Sequence, residues 1–331
     1  MDLRARDPVG AVNGYLYAAY NAAPATLSTD SRAEDQWYAL LRGEPLIGGL
    51  ELSFNGTFHP KGVSRLAGLL DPKWACVVTD VPGTIENVKR DPRYGLASTD
   101  IDSRARAVDD VRSLLIEIHR LHERIGEPVV AAVELHSAPM AMIERSSKDI
   151  FADSLAEIAS WSWGPVELVI EHADALVDAH PPQKGYLALA AEIEAAGSAS
   201  ARSGRAIGHS VNWGRSAIEA GSSAGPEEHV RALASRSLLR GLMFSGASAR
   251  ATDWSEPWQD SHLPIAEREP NSLLTVESVR ASLMAARTAK LEFLGVKVGA
   301  GVVPDDSLAA RLAPGLATLA AVDAVSRAMS H

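Results

Sequence analysis

The sequence predicts an α/β fold, a single (β/α)8 TIM barrel that spans residues 1–331. Short apolar runs recur about every 35 residues, and helical patterns lie between them. Such alternation indicates βα units and a parallel sheet, and eight units with crossovers of one hand close into a barrel. The alternative is an open doubly wound sheet. That fold usually has fewer strands, and no GxGxxG motif follows any of the apolar runs here.

The first three predicted strands are apolar runs that end in polar or turn residues. They cover residues 14–23, which are rich in tyrosine, then 48–55 and 74–80. Asp30 or Ser31 can cap a helix after the first strand, because a side-chain oxygen there accepts hydrogen bonds from the first helical turn. This part of the chain therefore predicts three strands, with a helix between the first two.

Strands four and five carry the most informative pattern. Residues 128–139 and 165–175 each form an apolar run that ends in an acidic residue and a histidine. A near-continuous apolar run is typical of a buried parallel strand. Three- and four-residue spacing of apolar residues predicts a helix over 102–125, and Gly126 follows as its C-cap. A second helix is expected over 148–161, between the two strands.

The remaining units complete the barrel. The three strands are expected over residues 206–212, 241–245 and 291–298, and the helices over 185–196, 226–239 and 275–290. The final helical stretch, 306–329, contains Pro314. Proline removes a helical hydrogen bond, so we expect two helical pieces there.

Residues 249–271 differ from an ordinary connection. They follow strand seven, hold two tryptophans and three prolines, and far exceed the usual two to six residues. Loops after barrel strands often carry function. We expect an active-site loop or lid, in which Trp254 either stacks on a sugar or belongs to the core.

Composition limits the classes of partner. The net charge is −10 and the isoelectric point is near 5.5, which argues against nucleic-acid binding by a broad basic surface. Cys76 is the only cysteine, so an intrachain disulfide is impossible. The first ten residues lack a signal-peptide core, and no stretch approaches about 18 apolar residues. We expect a cytoplasmic protein without a membrane partner.

Polar side chains follow the strands at the end where TIM barrels build their active sites. In chain order they are Asn21, Asn55, Asp80, Glu134, His136, Glu171, His172, His209, Asn212, Ser245 and Lys297. Because successive residues of a strand face opposite sides, Glu134 and His136 share a face. Glu171 and His172 cannot both point inward, and neither can His209 and Asn212 unless a bulge intervenes.

Two inward carboxylates at one mouth would repel each other. This repulsion would raise the pKa of one of them or favour the binding of a cation. Glu134, Glu171 and His209 are candidate ligands of Mn²⁺, Mg²⁺ or Zn²⁺. A metal could polarise a carbonyl while a carboxylate moves a proton between adjacent carbons. This is the chemistry of sugar isomerisation and epimerisation. It needs no nucleotide cofactor.

The candidate residues divide into two groups by expected role. The catalytic candidates are Glu134, His136, Glu171 and Lys297, and the candidates that bind a sugar or polyol are Asn21, Asn55, His172, His209, Asn212, Ser245 and Trp254. Structural interpretations compete with these roles. His209 can be a satisfied barrel histidine, and Asp80 and Asn212 can be turn residues.

Lys297 permits a different chemistry. A desolvated lysine can lose its proton and form a Schiff base, which would make the protein a lyase or aldolase. Lys297 can also be a counter-ion or a substrate anchor. A third hypothesis is a barrel that binds a sugar or polyol without turning it over.

The motifs VELHSAP, VIEHADA, GHSVNWGRSAIE and GLMFSGAS resemble the xylose isomerase-like barrels, which include sugar isomerases, sugar-phosphate isomerases/epimerases and their endonuclease relatives. Within this superfamily they look like an uncharacterised bacterial family known only as a domain of unknown function. The resemblance covers nearly the whole chain. It implies a TIM barrel and a sugar substrate, and barrels of this kind often form homodimers.

The resemblance also implies site residues. Glu134 matches the glutamate that ends strand four, Glu171 is the candidate for the acid after strand five, and His209 is nearest to the strand-six histidine. The superfamily's ligands on strands seven and eight are replaced here by Ser245 and Lys297. A lysine can stand in for a bound cation, so a metal-free site is the alternative.

Overall fold

The structure is a computed structural model that describes residues 14–142, 144–178, 180–304 and 307–329. Within these residues, eight parallel strands form a closed barrel in chain order. The strands are β1 Tyr15–Tyr17, β2 Ile47–Ser53, β3 Cys76–Thr79, β4 Val130–Leu135, β5 Glu167–His172, β6 Ile207–Asn212, β7 Leu239–Phe244 and β8 Phe293–Val296. The predicted (β/α)8 barrel is confirmed.

Helices surround the barrel and cover its outer face. They are α1 Ser31–Gly43, α2 Val63–Leu69, α3 Val81–Arg90, α4 Ile101–Ile125, α5 Lys148–Ala159, α6 Leu189–Ser203, α7 Trp213–Ala220, α8 Gly225–Ala234, α9 Val276–Ala286 and α10 Leu308–Met329. Two short 3₁₀ helices, Ala19–Asn21 and Ala25–Ser28, follow β1. Asp30 caps α1 by accepting hydrogen bonds from two backbone N–H groups.

The interior of the barrel has an apolar layer and a polar layer. The apolar layer comprises Leu16, Ala18, Val77, Ala132, Val169, Met243 and Phe293. Side chains alternate along a strand, so the residues two positions after Val77, Ala132 and Val169 face the same interior. These are Thr79, Glu134 and Glu171, all buried at the C-terminal ends of their strands. The backbone therefore gathers polar groups at the mouth above an apolar floor.

Two predictions about helices are corrected by the structure. The final stretch is one helix, α10, although Pro314 lies inside it. The proline removes one hydrogen bond, but Leu312 and Leu319 on the buried face hold the helix against the barrel. A turn at Asp80, one of the alternatives above, is also not observed, because Asp80 directly precedes the helix α3. The proline there lies in the first helical turn, where a missing N–H costs nothing.

By length and composition, α10 is a helix that could cross a membrane. One such helix is weak evidence, because the core helices of soluble proteins pass the same test. Val322 and Val325 are buried, and the helix packs beside α9 and β8. Of its most apolar 18-residue window 33% is buried, so packing in the helical layer accounts for part of its apolar character.

Candidate active site

Glu171, the carboxylate at the end of β5, lies at the centre of the barrel mouth. The Oε2 atom lies 2.8 Å from Arg215 Nη1 and 2.8 Å from His136 Nε2. The Oε1 atom lies 3.2 Å from Lys297 Nζ and accepts from Asn212 Nδ2 at 3.3 Å. Burial alone would raise the pKa of Glu171, but the charges of Arg215 and Lys297 hold it well below its ordinary value. Glu171 is therefore an anion at neutral pH.

Lys297 connects Glu171 to a second carboxylate. Its Nζ lies 2.6 Å from Glu51 Oε1, and the Tyr20 hydroxyl donates to the same oxygen at 2.8 Å. Burial would lower the pKa of Lys297, but Glu171 and Glu51 raise it well above the ordinary value. The side chain is therefore an ammonium ion without the lone pair that a nucleophile needs.

Glu134, on the neighbouring strand β4, has the opposite protonation state from Glu171. Burial, together with the charges of Glu171 and Glu51, raises the pKa of Glu134 well above its ordinary value. Its Oε1 accepts from Ser210 Oγ at 2.6 Å. Among the described residues, neither Oε2 of Glu134 nor Oε2 of Glu51 has a hydrogen-bond partner. Two buried oxygens that point into a polar interior can accept or donate to a bound ligand.

His136 joins the centre of the mouth to its β3 side. Its Nδ1 lies 2.6 Å from Asp80 Oδ1, and its Nε2 contacts Glu171. Burial would lower the pKa of His136, but the hydrogen bonds to Asp80 and Glu171 outweigh it and raise the pKa. Asp80 also lines a cavity of about 270 Å³ together with Asn55 and Tyr94. Asn55 itself is exposed.

Residues 249–271 contact the mouth through Arg215. The Asp260 carboxylate accepts from Arg215 Nε at 3.1 Å and also pairs with Lys184. Burial would raise the pKa of Asp260, but His262, Lys184 and Arg215 hold it well below its ordinary value. Further along the segment, the His262 carbonyl accepts from the backbone N–H of Gly299 at 2.9 Å. These ion pairs join residues 249–271 to Arg215 at the mouth.

We expect Asp260→Asn to loosen this segment. The change removes the charge that holds Arg215 and Lys184, and hydrogen bonds to charged groups contribute about 1.5–3 kcal/mol. Amide hydrogen exchange across 249–271, measured by mass spectrometry, should accelerate by about tenfold or more. Asp253→Asn, at an exposed position of the same segment, is the control. Equal exchange in both variants would mean that apolar packing alone holds the segment down.

Three other predicted residues have local contacts. Ser245 Oγ donates to Asn212 Oδ1 at 2.7 Å and so orients the amide toward Glu171. Asn21 is half-buried and donates to the Ala18 carbonyl at 3.4 Å. Trp254 packs against the loop after β8, where a Cβ at Gly301 would lie 2.7 Å from its ring.

His172 and His209 lie on the outer face of their strands. Ser210 and Asn212 contact the interior glutamates, so the alternation of β6 turns His209 toward the helices. The same rule turns His172 away from Glu171, and its ring contacts acidic residues outside the barrel. The structure therefore brings Glu134 and Glu171 together but does not bring His209 to them. Neither histidine reaches the mouth.

The mouth does not fit the divalent metal that the sequence resemblance implies. Lys297 and Arg215 contact both oxygens of Glu171, the positions that a cation would use. The third predicted ligand, His209, faces outward. Positive charge at this site is supplied by side chains of the chain itself.

Sequence reasoning missed several residues of the mouth, among them Tyr20, Glu51, Arg215 and Asp260. A signal existed for Glu51. It stands between Leu50 and Leu52, which face the helices, so alternation points its carboxylate inward. Arg215 lies in α7, which begins directly after β6, at the point where a turn at Asn212 is one alternative.

Comparisons with known proteins place the chain in a family. A family model described as a domain of unknown function (DUF4862) matches residues 16–314. The chain belongs to this family. An uncharacterized protein of Salmonella typhimurium (strain LT2) is 33% identical over 287 residues, which are 86% of this chain and 89% of that protein. The prediction of an uncharacterised family is confirmed.

Solved structures confirm that this DUF4862 chain has the fold of the xylose isomerase-like barrels. It matches the IolI protein with a bound zinc atom at a TM-score of 0.52 and 8% identity, covering 94% of this chain and 95% of that chain. A D-tagatose 3-epimerase-like protein matches at 0.52 and 13%, covering 85% and 90%. D-psicose 3-epimerase matches at 0.53 and 10%, covering 93% and 96%. At these identities the likeness shows the fold.

Proposed function

We propose that this protein is an isomerase or epimerase of a sugar or sugar derivative, acting at the mouth of the barrel. The observation that carries the proposal is the pair of buried carboxyl groups on adjacent strands with opposite pKa shifts. The pKa of Glu134 is raised above its ordinary value, and the pKa of Glu171 is lowered below it. Environments that shift the pKa values of two carboxyl groups in opposite directions are typical of acid–base sites. The solved neighbours described as a D-tagatose 3-epimerase-like protein and as D-psicose 3-epimerase support the substrate class.

In the proposed reaction, Glu134 is the group that moves the proton. The ionised fraction of Glu134 removes a proton from the carbon next to a carbonyl, which leaves an enediolate. Because its pKa is raised, Glu134 is a stronger base than an ordinary carboxylate. In an isomerase, Glu134 then returns the proton to the neighbouring carbon, while the hydroxyl proton of the deprotonated carbon passes to the original carbonyl oxygen. An epimerase would need a second acid on the opposite face of the same carbon, because Glu134 reaches only one face.

The negative charge of the enediolate requires fixed positive charge. Lys297 and Arg215 are buried cations held in place by Glu171, so they can stabilise the oxyanion without reorganisation. Glu51 Oε2, which lacks a partner among the described residues, and the Asn212 amide would bind sugar hydroxyl groups. Residues 249–271 would open to admit the substrate and close to exclude water.

The test is incorporation of deuterium. The wild-type protein is incubated in D₂O with a panel of ketoses, aldoses and sugar acids, and carbon-bound deuterium is measured by NMR. We expect exchange at the carbon next to the carbonyl for at least one sugar. If no member of the panel exchanges while one of them still binds in calorimetry, the protein is the non-catalytic sugar-binding barrel instead.

The Lys297-dependent lyase is the weaker candidate. Schiff-base formation needs a neutral amine, whereas Glu51 and Glu171 keep Lys297 protonated. Borohydride treatment in the presence of the exchanging sugar should therefore leave Lys297 unmodified. The expected homodimer and the cytoplasmic location remain predictions from the sequence.

A further inference from the structure

A second cluster of titratable side chains lies outside the barrel, at the end of β5. His172, Glu219 and His229 come from β5, α7 and α8, and their ligand atoms all lie within 4.8 Å of one another. His172 Nε2 is 2.9 Å from Glu219 Oε2, and His229 Nε2 is 3.6 Å from Glu219 Oε1. Two imidazole nitrogens thus converge on one carboxylate.

The other nitrogen of each ring is held by a second residue. His172 Nδ1 lies 2.7 Å from Glu192 Oε2, and Glu192 Oε1 in turn accepts from the Ser137 hydroxyl. His229 Nδ1 lies 2.9 Å from Ser216 Oγ. Metal-binding histidines usually use one nitrogen for the metal and donate the other to a carboxylate or other acceptor, which fixes the orientation of the ring. Both rings here already point Nε2 toward Glu219.

We propose that His172, Glu219 and His229 form a binding site for a divalent metal of the Zn²⁺ class. Two imidazoles and one carboxylate are a donor set that zinc uses, with a fourth position open to water. Tetrahedral zinc bonds of about 2.1 Å place ligand atoms about 3.4 Å apart. The ligand atoms of the three residues lie within 4.8 Å of one another, so they must move closer together to bind the metal. The side chains of Glu219 and His229 are 13% and 16% exposed, which leaves room to move and a path for the ion.

This site is separate from the mouth, where Lys297 and Arg215 occupy the oxygens of Glu171. The two are nevertheless joined by the chain. Glu171 and His172 are consecutive on β5, and α7 carries both Arg215 and Glu219. A metal here would fasten α7 and α8 to the strand end that positions Glu171. The inference does not depend on the proposed reaction.

Metal binding to the chelator-treated full-length protein tests the inference. Zn²⁺ is titrated by calorimetry, and Co²⁺ by its visible absorption, which reports tetrahedral nitrogen and oxygen ligands. We expect one equivalent of metal and release of protons, because His172 must be neutral to bind. His229→Ala and Glu219→Gln should abolish stoichiometric binding. Glu192→Gln should weaken it by about 10–100-fold.

Two controls fix the location of the metal. His119→Ala, on the exposed face of α4, should bind metal as the wild type does. Glu134→Gln should also bind normally, whereas its loss of metal would move the site to the barrel mouth. The inference is overturned if the wild type takes up no stoichiometric metal, since the cluster is then a closed ion-pair network. It is equally overturned if folded His229→Ala and Glu219→Gln variants bind as tightly as the wild type.

Discussion

Glu134→Gln is expected to lower the rate of deuterium exchange into the sugar by about 10²–10⁴-fold while the protein stays folded. Glutamine has the size and hydrogen-bonding shape of the neutral acid, so the contact with Ser210 Oγ can persist. It cannot take up a proton from carbon. Because the raised pKa of Glu134 favours its neutral form in the folded protein, replacing it with a neutral amide costs little, and the free energy of unfolding should change by less than about 1 kcal/mol.

The comparison variants separate catalysis from structure. Glu144→Gln, at an exposed position after β4, should keep both activity and stability. Glu171→Gln should lose stability, because it leaves Arg215 and Lys297 buried without their anion. If Glu134→Gln retains exchange within a few fold of the wild type, the acid–base role belongs to another group and the proposed mechanism is wrong.

The raised pKa of Glu134 also sets a direction for the effect of pH. As a base, Glu134 must be ionised, so kcat/KM should rise with pH until its folded pKa is passed. The contribution of Glu134 to the free energy of unfolding changes with pH in the opposite direction. A glutamate has a pKa of about 4.3 when unfolded, so the folded state holds the proton more tightly. The stabilisation of the folded protein that Glu134 contributes is complete below about pH 4.3. It is lost as the pH rises toward the pKa of Glu134 in the folded state. Denaturant unfolding of the wild type and Glu134→Gln over this range measures the difference.

The sequence was sufficient for the fold and for half of the mouth. The apolar runs of β4 and β5 each end in an acidic residue near a histidine, and the rule that parallel strand ends meet brought Glu134 and Glu171 together. Alternation along the strand also predicted that Glu134 and His136 share a face. In the structure, His136 contacts Glu171 and Glu134 contacts Ser210, so both side chains take part in the hydrogen bonds of the mouth.

The sequence was not sufficient for the partners that come from far along the chain. Arg215 and Asp260 are charged residues next to turns and prolines, where a solvated side chain is the ordinary expectation. Only the folded barrel shows that they pair with each other and with Glu171. For His209 the local pattern left two orientations open. The contacts of Ser210 and Asn212 decide between them.

Lys297→Met is expected to destabilise the protein by about 3–5 kcal/mol. The Lys297 ammonium group is fully buried and lies 2.6 Å from Glu51 and 3.2 Å from Glu171. Its removal leaves Glu51 Oε1 with the Tyr20 hydroxyl as its one hydrogen-bond donor among the described residues, and a buried charge without compensation is costly. Chemical denaturation measures the loss. Lys290→Met, which removes an exposed lysine paired with Glu292, should change stability by less than about 1 kcal/mol.

A second substitution identifies the cause of the loss. In the Lys297→Met background, Glu51→Gln removes the stranded charge and should recover part of the stability, because an uncharged amide tolerates burial better than an unpaired carboxylate. The two changes share a contact, so their effects should not add. If Glu51→Gln destabilises the Lys297→Met variant by as much as it destabilises the wild type, the two residues are not coupled. The stability lost in Lys297→Met then comes from packing of the lysine stem. The ion pair would then not be what orders the mouth, and Lys297 would be free to act as an anchor for the substrate.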